Sequence, residues 1–164
     1  APALTGSVYN GGAWVEYSLN SSYDESWVEG SSDGDWTIVE FMDINCGYCK
    51  KSGVTIAENA DLIDNSPATG RANVNFIAVA ISLPLGGDDY TRENVINFRN
   101  DYGHEFYYLD GMADDTQKDN WQIRATPTYF IVKPNGVIAW AGAEHSDEDV
   151  WQAYGRLIPI IEGA

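Results

Sequence analysis

The sequence predicts an α/β layer fold, in which a central β-sheet carries helices on both faces. Three observations point there. Short runs rich in Val, Ile and Phe alternate along the chain with segments of helical period. The last third holds a hairpin signal, two β-rich runs around the turn "KPNG". The 164 residues are 44% hydrophobic and 13% aromatic, which is ample for one packed core. One domain is therefore expected over 1–164, with 1–35 as a strand-and-loop extension packed on it. No internal repeat or low-complexity segment is visible.

The elements follow in order. Residues 13–19, "AWVEYSL", alternate as a strand does, and the polar stretch 20–35 reads as loop. "WTIVEFM" (36–42) is a short apolar strand. A helical pattern opens at Cys46 and runs to Ile63, weakened at Gly53. "NVNFIAVAISL" (73–83) is a second buried strand. In 91–103, Val95, Ile96 and Phe98 are expected on one helical face, and Gly103 stops the helix. "FYYLD" offers a short strand and "DDTQKDNWQI" a short helix. The hairpin spans 127–142. An acidic-led helix closes the chain, with Ser146 expected as its N-cap and carboxylates in its first turn.

Charge excludes some partners. With 25 acidic against 9 basic residues and a formal net charge of −16, the chain lacks the Lys and Arg that displace counterions from phosphates. Nucleic acid and anionic membrane surfaces are not expected partners. The acidic stretches sit where loops and helix starts belong, so solvation accounts for them. The longest apolar stretches are far shorter than the roughly 20 residues a bilayer requires.

Cys46 and Cys49 are the only cysteines, in "MDINCGYCKKSG". A disulfide closing so small a loop removes little entropy from the unfolded chain, so a stapling role explains nothing. A closed zinc site usually needs four Cys or His ligands, and only His104 and His145 are available; each is expected to have an ordinary surface or packing role. A redox pair fits better. After a buried strand and at a helix start, Cys46 meets outward-pointing N–H groups and the positive end of the dipole, which favour thiolate. Cys49, about one turn on, is placed to resolve a mixed disulfide formed at Cys46. Lys50 and Lys51 add positive charge nearby. Glu40 shares a strand face with Ile38 and Met42 and is expected beneath the pair, where a buried carboxylate could take the Cys49 proton. Asp43 competes for that role but is expected to be more exposed. Pro127 precedes a buried strand; propensity alone predicts a trans Thr126–Pro127 bond.

Taken together, "VEFMDINCGYCK" and "ATPTYFIVKPNGVIAWAG" resemble the strand, C-x-x-C helix start, cis-proline loop and final hairpin of the thioredoxin superfamily. The extra helix and strand in "TRENVINFRNDYGHEFYYLD", with an N-terminal strand pair, resemble its TlpA/ResA-like branch of thiol-disulfide oxidoreductases. The resemblance implies a thioredoxin-like fold with a central mixed sheet, extra N-terminal strands and a central insertion. It implies a cis Thr126–Pro127 bond facing the cysteines, so that Thr126, Pro127, Gly47 and Tyr48 would meet an extended substrate. Cys46 would be the nucleophile, Cys49 the resolving thiol and Glu40 the proton relay, at the position of the family's buried Asp. Three departures stand out: Asn45 replaces the usual Trp before the first cysteine, no Pro lies between the cysteines, and Ser52 replaces the acid some ResA-like members carry three positions after the second cysteine.

The expected function is disulfide exchange with protein thiol or disulfide substrates and a redox partner protein, without a cofactor and as a monomer. The rivals are a copper- or other metal-binding carrier, which in similar folds uses C-x-x-x-C, and a redox-inert interaction module. The branch resemblance and the "AP" start suggest an extracytoplasmic protein, periplasmic, secreted or held outside by an anchor absent from this chain; a cytoplasmic one is the alternative.

Overall fold

The computed structural model describes residues 1–31, 33–59, 74–82, 90–114, 116–143 and 147–161. Its elements are β1 (Thr5–Tyr9), β2 (Trp14–Ser18), a 3-10 turn (Asn20–Ser22), β3 (Trp36–Met42), α1 (Gly47–Glu58), β4 (Val74–Ala80), α2 (Arg92–Asp101), β5 (Tyr107–Asp110), α3 (Thr116–Asn120), β6 (Thr128–Val132), β7 (Ile138–Ala143) and α4 (Val150–Ile161). The strands form one mixed sheet in the order β2-β1-β5-β4-β3-β6-β7. β3, β4 and β5 run parallel, and the remaining pairings are antiparallel.

All seven residues of β3 are buried, as expected of a strand covered on both faces. Its pleat sends Ile38, Glu40 and Met42 to one face and Val39 and Phe41 to the other. The first face packs against Cys49 and Ile56 of α1, Val95 and Phe98 of α2, and Val150, Tyr154 and Leu157 of α4. The second is closed by Leu4, Val8, Leu19, Trp121 and Ile123, from the N-terminal segment and the region of α3. Helices thus flank both faces.

Strand β1 is not signalled by "TGSVY", whose Gly and Ser carry no β preference. Tertiary partners hold it instead. Val8 pairs with Leu109 of β5. The Gln117 side-chain amide donates to the Thr5 carbonyl and accepts from the Thr5 N–H, both at 2.7 Å, and so stands in for a strand partner. In α2 the buried positions are Val95, Phe98 and Arg99, while Ile96 is only half-buried. At about 100° per residue Val95, Phe98 and Arg99 fall on one stripe of the helix, and Ile96 lies about 110° from its centre, at the edge. Arg99 is tolerated inside because its guanidinium donates to the Phe106 and Glu105 carbonyls at 2.9 and 2.8 Å.

The start of α4 also differs from expectation. Asp149 is its cap: its carboxylate accepts from the Gln152 N–H at 2.8 Å, and the Gln152 side chain accepts from the Asp149 N–H at 3.0 Å. Ser146, His145 and the expected end of the first helix at Ile63 lie outside the described residues. Glu148 is paired with Arg156 at 2.9 Å, and the first turn carries no acid. Among the described residues no helix is long and apolar enough to cross a membrane.

Register sets one row across the first face: Tyr108 pairs with Ala78, Ala78 with Glu40, and Glu40 with Tyr129. Ala78 is fully buried, and only a methyl group there leaves room for the larger side chains on either side. Ala78→Leu should therefore lower stability by about 1–3 kcal/mol through overpacking, measured by urea unfolding.

Candidate active site

The loop after β3 delivers both sulfurs. Asp43 is almost completely buried, contrary to expectation, because its carboxylate accepts from the Asn45 N–H at 2.9 Å and shapes the turn. Its carbonyl accepts from the Cys46 N–H at 3.0 Å. Cys46 is the N-cap of α1, with extended backbone, and its Sγ accepts from the Cys49 N–H at 3.4 Å. A helix-terminal donor therefore points at the outer sulfur. Gly53 stays within α1 although glycine weakens helices. A Cβ there would lie 3.0 Å from the Tyr102 ring.

The two sulfurs face different surroundings. Cys46 is half-buried, whereas Cys49 is 1% exposed. Both are thiols here. The Cys46 Sγ donates to the Thr126 carbonyl at 3.4 Å, and the Thr126–Pro127 peptide is cis. Pro127 is buried and Thr126 half-exposed, and between the cysteines Gly47 and Tyr48 are exposed, Tyr48 to 46%. Cys49 Sγ accepts from the Asp43 N–H at 3.5 Å. Burial and then the negative charge of Glu40 push the Cys49 thiol far up from its usual range, so it holds its proton.

Glu40 is 2% exposed, and its charge bears on the Cys49 thiol. Tyr129, opposite it on β6, donates its hydroxyl proton to Glu40 Oε2 at 2.9 Å. Directly opposed residues of an antiparallel pair bring their Cβ atoms to about 5 Å, which makes this contact a product of register. Ser52 hydrogen-bonds the Tyr129 hydroxyl from α1. Burial, followed by the Glu40 charge, raises the pKa of both Tyr129 and Tyr108 well above the ordinary phenol range, so both hydroxyls stay protonated.

His104 has a packing role, in the interior. Its Nε2 lies 2.8 Å from the Gly53 carbonyl and its Nδ1 2.6 Å from the Tyr108 hydroxyl. A carbonyl only accepts, so Nε2 carries the ring proton and Nδ1 accepts from Tyr108. Sequence reading missed Tyr129, Tyr108 and His104 as neighbours of the site. Strand alternation in "HEFYY", with His104, Phe106 and Tyr108 on one face, was the signal for two of them; Tyr129 required the β3–β6 register. Among the described residues no group of three or more His, Cys, Asp or Glu side chains is arranged to hold a metal.

With this geometry in hand, comparison with known proteins is decisive for the family. The family model for the thioredoxin-like domain matches residues 23–156, most of the chain. The chain belongs to the thioredoxin-like family. Among solved structures, it is similar to the thioredoxin domain of a thiol-disulfide oxidoreductase from Bacteroides vulgatus, with 18% identity over 98% of this chain and 94% of that one, at a TM-score of 0.64. A putative protein disulfide isomerase from Bacteroides thetaiotaomicron is likewise 18% identical over 99% and 87% of the two chains, at a TM-score of 0.68. A secreted Mycobacterium tuberculosis disulfide oxidoreductase homologous to E. coli DsbE is 14% identical over 88% and 89%, at 0.59. At these identities the likeness is one of fold. No curated protein sequence matches the chain.

The buried imidazole gives this thioredoxin-like domain a specific pH signature. Burial lowers the His104 pKa below its ordinary 6.5; the Gly53 bond opposes that shift and the Arg99 charge adds to it. The unfolded chain therefore binds a proton near 6.5 that the folded chain refuses. The corresponding stability is complete above that pH and is lost as pH falls below it. Urea unfolding at a series of pH values should show a steeper acid-side loss for the wild type than for His104→Gln, whose side chain does not titrate. Parallel curves would contradict the assignment.

Proposed function

We propose that the chain is a thiol-disulfide oxidoreductase that exchanges disulfides with protein substrates through Cys46 and Cys49. The observation that carries this reading is the arrangement of the two sulfurs. One is half-exposed at a helix N-terminus and faces the Thr126 carbonyl; the other is buried above a carboxylate.

In the reductive direction, the Cys46 thiolate attacks one sulfur of a substrate disulfide. A Cys46–substrate disulfide forms, and the other substrate sulfur leaves as thiolate. Cys49 then gives its proton to Glu40, and its thiolate attacks the Cys46 sulfur. The Cys46–Cys49 disulfide forms, and the second substrate thiolate leaves and takes a proton from solvent. Oxidation of a dithiol substrate is the same sequence reversed. Glu40 is the base because its charge bears directly on the Cys49 thiol, whereas the Asp43 carboxylate is turned to the Asn45 N–H. Thr126, Pro127, Gly47 and Tyr48 form the surface that positions an extended substrate segment, and a redox partner protein returns the pair to its starting state. The domain acts as a monomer outside the cytoplasm, a placement supported by the likeness to a secreted oxidoreductase.

Cys46→Ser should abolish reduction of a protein disulfide such as that of insulin, followed by turbidity. Cys49→Ser should accumulate a mixed disulfide with the substrate, visible by mass spectrometry. Full activity in Cys46→Ser would end this reading. Glu40→Gln should slow turnover by about tenfold or more near neutral pH with the fold intact by circular dichroism. An unchanged rate at every pH would remove Glu40 from the mechanism.

A further inference from the structure

We propose that the proton taken up by Glu40 leaves the core through the Tyr129 hydroxyl and Ser52, into the polar cavity between α1 and the start of α4. The inference rests on the oxidoreductase reading and adds to it two relay residues that act through Glu40 rather than on the sulfurs.

A carboxylic acid is a stronger acid than a thiol, so the proton that Cys49 gives to Glu40 returns to the sulfur unless it is drained away as the resolving step proceeds. Glu40 is 2% exposed, and on the cysteine side it is covered by Cys49, itself 1% exposed. During the resolving step the substrate also occupies that side. The proton must therefore leave across the sheet face, by way of groups that both donate and accept.

Two hydroxyls flank the carboxylate in the cross-strand row, Tyr108 and Tyr129. The Tyr108 branch is closed. Its hydroxyl is committed to His104 Nδ1, the ring proton on Nε2 is committed to the Gly53 carbonyl, and a carbonyl passes no proton onward. Every member of that branch is buried.

The Tyr129 branch is open. Its hydroxyl donates to Glu40 Oε2 at 2.9 Å and is hydrogen-bonded by Ser52. Tyr129 and Ser52 both line a cavity of about 320 Å³. Its floor is buried, and its rim carries the exposed Thr55, Asp147, Asp149 and Gln152. At about 30 Å³ of liquid volume per water, this space holds several water molecules. The two carboxylates at the rim attract a proton arriving there.

The transfer balances. Protonated Glu40 donates to the Tyr129 oxygen as the Tyr129 hydroxyl proton passes to Ser52 or to cavity water. One proton moves from Glu40 to solvent, and both hydroxyls regain their starting state on rotating back. The geometry also gives a use to Ser52, which stands three positions after Cys49.

The resolving step can be watched alone. Dithiobisnitrobenzoate loads Cys46 of the reduced protein and releases one thionitrobenzoate; attack by Cys49 releases a second, followed by stopped-flow absorbance across pH in light and heavy water. The groups facing the relay are Cys49 from α1, Tyr108 from β5, Tyr129 from β6, and Asp147 and Asp149 ahead of α4. Tyr129→Phe and Ser52→Ala should each slow the second release relative to the first by about tenfold, alter its pH profile and change its solvent isotope effect. Ser52→Thr, which keeps the hydroxyl, should restore the wild-type profile. If Ser52→Ala and Tyr129→Phe keep the wild-type ratio, pH profile and isotope effect, the exit path is wrong. It is equally wrong if both releases slow together with an unshifted profile, since that marks a packing defect. A wild type that never releases the second thionitrobenzoate would instead overturn the oxidoreductase reading itself.

Discussion

The contact between Glu40 and Tyr129 is the constraint around which this site is built. A carboxylate taken out of water costs several kcal/mol unless its oxygens are hydrogen-bonded, and the interior of a sheet offers few donors, because the main chain is already paired. Here the donor comes from the residue directly opposite on β6. The bond exists only while β3 and β6 keep their register. A slip of one residue would turn Glu40 to the other face, among Val39, Phe41 and Phe130. The same register brings Thr128 opposite Phe41 and so sets the end of β6, where the Thr126 carbonyl meets Cys46. One pairing thus positions the Glu40 carboxylate and the Thr126 carbonyl together.

The loop completes what the sheet begins. Asp43 spends its carboxylate on the turn and its main-chain groups on the two cysteines, with its N–H on the Cys49 sulfur and its carbonyl on the Cys46 N–H. That division leaves Glu40 as the carboxylate bearing on the Cys49 thiol. The sulfurs then differ by surroundings alone: Cys46 has a helix-terminal donor and access, and Cys49 has burial and a negative neighbour. The proposed disulfide exchange needs such a difference, because one sulfur must attack first and the other must wait.

Much of this was legible in the sequence where the signal is local. Alternation in "WTIVEFM" assigns Glu40 to the face of Ile38 and Met42, and the strand-to-helix junction places Cys46 at the helix mouth. The α/β layer class followed from the order of strands and helices and from the "KPNG" hairpin, and the thioredoxin-like fold from the resemblance carried by the cysteine and proline motifs. What escaped depends on long-range pairing or on competition between caps. Tyr129 lies 89 residues from Glu40 along the chain, so only register joins them. Asp43 read as an exposed loop residue because turn caps and solvated acids look alike in a sequence. Strand β1, with Gly and Ser in "TGSVY", was expected only through the resemblance's N-terminal strand pair; it is held by β5 and by Gln117, neither of which its own residues announce.

A double-mutant cycle on unfolding free energy, with Glu40→Gln, Tyr129→Phe and the pair, tests the central contact most directly. A hydrogen bond that holds a buried carboxylate predicts a coupling of about 1 kcal/mol or more between the two positions. Additive losses, with coupling near zero, would mean that the two side chains do not meet, and the arrangement built upon them would fall.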